Sequence, residues 1–488
     1  MCMAGQDNSI LVKDRLFIGG CWRKSVSGAT FAVRNPANGE IVATVADAGG
    51  QDAKNAVADA YAAQGGWRAV PAKQRGQILY RWYELILENQ EALARLITTE
   101  QGKPLAESRL EVVNGAAAVQ WFAEEAKRCY GDVIAANSVD QRILTLKQPI
   151  GVVAAISPWN FPVSMVTRKV APALAVGCTV VLKPSPETPL SALALAELSA
   201  QAGMPPGVFN VLCGTDSNAI GRVLTSDTRV RKLTFTGSNA VGKLLMKQCA
   251  DTVKNVSLEL GGNAPFIVFD DADLDTAVSD VIAVKFRNAG QTCICANRIL
   301  VQNTIYDEFA QRVAAQADSL RLGNGMREDV DVGPLINARA IEKVKTLVED
   351  AVAHGAEVIS RITSVREGDV FVQPMVLTEV DAQMRVCREE IFGPVAPLLR
   401  FKTEEEAVKM ANDTEQGLAA YLYTRDVNRI FRVSEALEFG MVGVNENVIA
   451  TEVAPFGGIK QSGIGREGSR YGVDEYLEIK YVCLGDLK

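Results

Sequence analysis

The chain has 488 residues, 48% hydrophobic and 22% charged, with a formal net charge of −7. That is the balance of a globular protein with large cores, roughly three units at about 150 residues each, and the acidic excess gives nucleic acid no electrostatic reason to bind. The most hydrophobic stretch, 150–182, is broken by Trp159-Asn160 and Arg168-Lys169, so no uninterrupted run reaches the length of a simple membrane span. The opening "MCMAGQDNSI" has neither a basic n-region nor an apolar h-region, so no secretory signal is expected. "QDAKNAVADAYAAQGGW" and a long amphipathic run over 73–101 then make the part before 150 mostly helical.

From 150 the pattern alternates. "GVVAAIS" (151–157) is continuously apolar, as buried parallel strands are, and Val163, Val166, Val170 and Leu174 continue it as a helix that Pro172 would kink. "TVVLKPS" (179–185), a helix from Pro189, "GVFNVLCG" (207–214) and a short helix over 217–225 come next. "KLTFTGS" (232–238), a helix over 240–250 and "NVSLEL" (255–260) complete the series. Strand–helix alternation at this spacing predicts a doubly wound parallel sheet. A second series from "PFIVF" (265–269) through "AYLYT" (420–424) to "GMVGVN" (440–445) predicts another α/β domain. Two alternating segments, 141–151 and 476–484, are left over; they are expected to pair with each other or, as exposed edges, with another subunit.

Ten cysteines are too dilute for a disulfide scaffold and suit a reducing cytoplasm. The single histidine, His354, lies in the polar turn "AHGAE". A His-ligated metal site is thereby excluded, and a nucleophile here must rely on a carboxylate or lysine base. Cys293-x-Cys295 has no second cysteine pair at ligand spacing, so no metal is expected; disulfide, reactive nucleophile and buried packing stay open.

In an open parallel sheet, ligands bind outside the carboxyl ends of the strands. Five successive ends here read "SPWN", "KPSPET", "CGTDS", "FTGSNAVGK" and "ELGGN". Gly237-x4-Gly242-Lys243 imitates a phosphate-binding P-loop, but Leu244 stands where Ser or Thr would hold Mg²⁺, so an NTPase reading fails. A helix N-terminus after that Gly-Ser turn still suits a phosphate, and a tight turn with no ligand fits equally well. Glu259 closes the fifth strand. Cys293 follows a helical stretch over about 273–287, beside Asn, Gly, Gln and Thr, a setting that favours partial exposure and reactivity.

"PWNFP" (158–162), "KPSPETP" (183–189), "FTGS" (235–238), "LELGG" (258–262), "GQTC" (290–293), "EEIFGPV" (389–395) and "PFGGIKQSGIGREG" (455–468) resemble, in order and approximate spacing, the NAD(P)-dependent aldehyde dehydrogenases. The resemblance covers essentially the whole chain. It implies a Rossmann-like cofactor domain (1–126 and 148–258), a catalytic domain (259–470) and a small β oligomerisation segment (127–147 and 471–488). It also implies that Cys293 attacks the aldehyde, that Asn160 and the Cys293 N–H form the oxyanion hole, and that Glu259 is the base.

For the cofactor, NADP or NAD, the resemblance implies Lys183 on the adenine ribose, with Ser185 close by. Gly237 and Ser238 would take the pyrophosphate, Glu390 the nicotinamide ribose, and Phe392 and Trp159 the cleft wall. Pro186 stands where many NAD-preferring members carry Glu, which favours NADP acceptance. "NFPVSMVTRKVAPAL" and "KFRNAGQTCICANR" resemble the succinate-semialdehyde branch, in which Arg168 and Arg287 would clamp a substrate carboxylate. Ala450 and Thr451 depart from the Ser-rich sequence of that branch, so a longer acid such as glutarate semialdehyde, or a neutral or aromatic aldehyde, is the alternative substrate. A non-catalytic member is the alternative of a different class, opposed by the intact Cys293, Glu259 and Asn160. The resemblance further implies a dimer or tetramer, and gives Cys295 either a reversible disulfide with Cys293 or a packing role.

Overall fold

The structure, a computed structural model, describes residues 11–361 and 370–487. The N-terminal decapeptide read above for a secretory signal lies outside these residues. Two buried apolar cores organise the chain, one built from residues between Leu11 and Leu260 with Val473 and Tyr476, the other between Ala264 and Phe456.

The first core surrounds an eight-stranded sheet. Its centre is the parallel set Phe209–Val211, Thr179–Lys183, Val152–Ile156, Val230–Thr236 and Asn255–Glu259, in that spatial order. These strands are almost wholly buried because helices cover both faces, which is why they read as unbroken apolar runs. The chain begins in the middle, at Val152–Ile156, winds outward to Phe209–Val211, then returns to the other side at Val230–Thr236. The strand order therefore reverses between Val152–Ile156 and Val230–Thr236, where a crevice opens at the carboxyl ends. Gly463–Ile464 adds antiparallel to Leu258 and Glu259 and brings the C-terminal segment to the fifth strand's end.

Around the second core runs a seven-stranded sheet, parallel except for Glu357–Val358 at its edge: Glu357–Val358, Met375–Thr378, Val395–Phe401, Ala296–Gln302, Ala264–Val268, Ala419–Tyr423 and Met441–Val444. Doubly wound α/β architecture is thus present twice. The two leftover segments pair with each other, Arg142–Pro149 against Leu477–Leu484, and Val133–Ile134 joins them in a three-stranded sheet.

Two expectations need correction. The part before 150 is not only helical: Leu16–Ile18, Cys21–Arg23, Thr30–Arg34 and Ile41–Ala46 are strands, the first adding antiparallel to Phe209–Val211. And the run over 73–101 is two helices, Ala72–Glu88 and Gln90–Gln101. Asn89 separates them, its side chain donating to the Leu85 carbonyl.

Candidate active site

The crevice at the reversal point opens into a cleft of about 720 Å³ between the two cores. Asn160, Trp159, Gly237, Ser238 and Glu259 reach it from the carboxyl ends of the first sheet. Cys293 comes from the loop before Ala296–Gln302, Glu390 and Phe392 from the approach to Val395–Phe401, and Thr451 from beyond Met441–Val444. Arg168, one turn into helix Ser164–Val176, and Arg287, at the end of Leu274–Phe286, complete the lining among the residues singled out by sequence. Sidedness explains the assembly: the residues come from strand ends, the loops between elements and the ends of helices that face one seam.

The Cys293 loop is held in an unusual backbone. Asn288 and Ala289 both have φ near +50°, left-handed without being glycine, so their neighbours must fix them. The Asn288 N–H donates to the Glu107 carboxylate, and its side-chain amide donates to the carbonyls of Asn160 (3.1 Å) and Gln291. Gly262 lets the fifth strand approach so closely that a Cβ there would strike the Cys293 carbonyl. The Asn160 amide donates to the Gln291 carbonyl at 3.0 Å, tying the loop after the first strand to the cysteine loop. Its Oδ1 is buried without a partner, and one amide hydrogen is left for a ligand. Burial, with the negative charges of Glu390 and Glu259, pushes the Cys293 thiol up to about 12; Arg168 pulls the other way. A thiol in this setting rests protonated and needs a base to become a thiolate.

Glu259 acts on it electrostatically from the same cleft. It is fully enclosed, and burial, then repulsion from Glu467, raises its proton affinity well above the usual carboxylate range; Lys169, Arg168 and Arg466 oppose the rise. Glu467 accepts from the buried Lys169 and lies 3.8 Å from Arg168 Nε. The Arg168 guanidinium sits 4.1 Å over the Phe456 ring, and its Nη2 is buried with no hydrogen-bond partner. A buried cationic donor without a partner costs free energy unless an anion completes it. Arg287 faces the same cleft over the Phe161 ring, 5.8 Å from its centroid. Thr451 Oγ1 donates to Glu452 at 3.0 Å.

At the other end, Ser238 lines the cleft as the N-cap of helix Asn239–Ala250 and makes no capping bond with its own hydroxyl, so the helix start is left without a side-chain cap, a frame for a phosphate. Glu390 accepts from the Gly262 N–H at 3.0 Å, and burial raises it to about 7. Phe392, itself at φ +54°, meets Trp159 edge to face at 5.6 Å. The residues present fit a dinucleotide laid from the Ser238 helix to Glu390. Lys183 and Ser185 lie outside the lining: Lys183 is buried, its proton affinity lowered by burial, and Ser185 donates to Glu187. Cys295 also lies outside it, its thiol toward the carbonyls of Lys285 (3.5 Å) and Ala296 (3.7 Å); both it and Cys293 are free thiols.

Sequence reasoning did not single out Glu187, Lys169 or Glu467. Glu187 lines the cleft one residue past Pro186, so a carboxylate does stand near that corner. Lys169 had a signal, a charge on the helix face that also carries Val166 and Val170. Glu467 had none, since only the fold brings it to residue 169. No group of three or more metal-ligating side chains occurs among the described residues, and none of their helices is long and apolar enough to cross a membrane.

The sequence model described as the aldehyde dehydrogenase family matches residues 22–482. The chain is 59% identical to 3-sulfolactaldehyde dehydrogenase of Pseudomonas putida, over 97% of this chain and 98% of that one. It is 53% identical to the succinate-semialdehyde dehydrogenase (NADP(+)) GabD of Escherichia coli K12, over 98% and 99%. The crystal structure of succinate-semialdehyde dehydrogenase from Burkholderia pseudomallei superposes with a TM-score of 0.97 at 53% identity, covering 98% of this chain and 99% of that one.

Proposed function

The chain belongs to the aldehyde dehydrogenase family, so it is an enzyme that oxidises an aldehyde with NAD(P)⁺, and from that premise we propose that its substrate is an aldehyde carrying an anionic group, succinate semialdehyde foremost. The observation that carries this reading is the Arg168 guanidinium, with one buried nitrogen lacking a partner, lining the same cleft as Cys293. Guanidinium offers permanent charge and a bidentate fork for a carboxylate. Arg287 would supply the second arm and Thr451 a hydroxyl. A sulfonate, as the name of the Pseudomonas putida relative implies for its own substrate, suits the same clamp.

In this reading Glu259 takes the thiol proton and Cys293 Sγ bonds to the aldehyde carbon. The oxygen becomes an alkoxide, held by the free Asn160 amide hydrogen and the Cys293 N–H. NAD(P)⁺, when bound, supplies the acceptor for the hydride that leaves this carbon. The carbon is then a thioester on Cys293. Once Glu259 has passed the thiol proton to solvent, it removes a proton from water, whose oxygen attacks the thioester; the acid is released and Glu259 returns that proton to the Cys293 thiolate. A carboxylate whose proton affinity burial has raised is a stronger base than an ordinary one, which suits both transfers. Ser238 and Gly237 would receive the pyrophosphate, Glu390 the nicotinamide ribose, and Lys183 and Ser185 the adenosine end. The absent carboxylate at Pro186 supports NADP⁺, while Glu187 opposes a 2′-phosphate.

We assign residues 1–126 and 148–258 to cofactor binding, 259–470 to catalysis, and 127–147 and 471–488 to assembly of a dimer or tetramer in the cytoplasm. The deciding measurement is kcat/KM for succinate semialdehyde with NADP⁺ and NAD⁺, beside butyraldehyde as a neutral control of equal length. The acid should be preferred by about 10- to 100-fold, the worth of a charged hydrogen-bonded anchor, and Arg168→Ala should abolish the preference by raising KM. Equal values for both aldehydes would return Arg168 and Arg287 to structural duty.

A further inference from the structure

Helix Leu105–Glu125 and the turn before it send a polar stripe into the protein at intervals of four: Lys103, Glu107 and Glu111. Charged side chains are seldom buried as Lys103 and Glu111 are, and with the half-buried Glu107 each is spent on a different active-site segment. The Lys103 ammonium, on a side chain with 0% exposure, donates to the Asn160 carbonyl and to Glu111, both at 2.6 Å, and lies 3.8 Å over the Phe161 ring. Glu111 accepts from the Val163 N–H (2.8 Å) and the Ser164 N–H, closing the start of helix Ser164–Val176, which carries Arg168. Glu107 accepts from the strained Asn288 N–H, while Gln101 Nε2 donates to Asn288 Oδ1. Asn288 in turn donates to the same Asn160 carbonyl that Lys103 holds.

Two donors on one carbonyl fix the plane of the peptide that carries the Asn160 side chain. We propose that Lys103 is a positioning residue for the reaction: its bond to the Asn160 carbonyl holds the Asn160 amide in register with Cys293, so that the alkoxide meets a preorganised donor. This rests on the reading of Asn160 as oxyanion donor given above. Preorganisation is where such a donor gains its effect, since the bond must be ready as charge develops on oxygen. Glu111 keeps the ammonium in place and neutralises it; a lone buried cation in that position would be strongly disfavoured.

The test is a double-mutant cycle between Lys103→Met and Asn160→Ala in the full-length enzyme, read by the pre-steady-state rate of NAD(P)H formation in the first turnover at saturating acid aldehyde. Lys103→Met should slow that step by about 10- to 1000-fold, up to the range seen when an oxyanion donor is lost, with KM for aldehyde and cofactor within about threefold. In the Asn160→Ala background the same substitution should add less than about threefold, because the amide it positions is gone. Full additivity would overturn the proposal and leave Lys103 as a residue of stability alone. An Asn160→Ala enzyme as fast as the parent would instead refute the oxyanion reading, a distinct failure. If Lys103→Met does not fold, Glu111→Gln, which keeps an acceptor for Val163 and Ser164, runs the same cycle: coupling to Asn160 supports the positioning role and additivity refutes it.

Discussion

Cys293 and Glu259 carry their proton logic in their surroundings. With the thiol pushed up to about 12, its alkylation by uncharged iodoacetamide in the free enzyme should climb about tenfold per pH unit from 7 to 9, because the thiolate fraction rises in that proportion below the pKa. A plateau near pH 8 would refute that. Lys169 is the largest of the positive charges opposing the rise of Glu259, and it also donates to Glu467, whose own charge adds to that rise. Removing the charge in Lys169→Met should make Glu259 harder to ionise, so the acid limb of the single-turnover deacylation rate should move to higher pH, by about one unit or more. A limb that stays in place would mean that Glu259 is not the titrating base. Asn160 and Glu259 stand out in the sequence because strand ends in an open sheet are where ligands bind, and Cys293 because its loop is polar; the roles proposed for them rest on the family resemblance. Lys169 could be suspected as a charge on an apolar face, but its partner lies 298 positions away and only tertiary structure joins them.

The elements show the same division between local and distant information. Strands Val152–Ile156, Thr179–Lys183 and Val230–Thr236 are legible because burial on both faces leaves an unbroken apolar signal. The N-terminal strands are short or half-exposed, and Thr30–Arg34, in which only Val33 is buried, gives neither a clean alternation nor an apolar run. Helix Pro189–Gln201 shows a dependence that its own sequence conceals. Thr188, its N-cap, makes no side-chain capping bond; the buried Glu100 of another helix accepts from Leu190 (2.8 Å) and Ser191 (2.9 Å) instead. Burial outweighs these bonds and raises Glu100 to about 7. A carboxyl raised in the folded state gives stability that is fully present below its unfolded pKa and is lost as pH rises through about 7. Glu100→Gln keeps one acceptor and cannot ionise. Its Tm should lie below the parent's at pH 5, and the gap should narrow by pH 8. A gap that widens with pH would show that the ionised carboxylate is the better cap.

At the scale of the whole molecule, the three-stranded sheet leaves one question of assembly. Leu477–Leu484 pairs along one edge with Arg142–Pro149, and in the sheet order its other edge has no strand. Ile479, Tyr481 and Leu484 are exposed on it, at 71%, 62% and 43%. Open strand edges carrying apolar side chains invite another strand, and soluble proteins cover or charge those they keep free. Helix Asn239–Ala250, beside the cofactor end of the cleft, likewise exposes Val241, Leu244 and Met246. Both surfaces are accounted for together if copies of the chain associate through them, as the proposed dimer or tetramer requires. Replacing Ile479 and Tyr481 by Lys puts two charges on the open edge while leaving the ladder to Arg142–Pro149 intact. Sedimentation at micromolar concentration should then give a smaller assembly than the parent. The cleft is lined within a single chain, so the dissociated variant should keep its KM for aldehyde. An unchanged mass would remove this edge from the interface, and a raised KM would show that a neighbouring copy shapes the substrate end of the cleft.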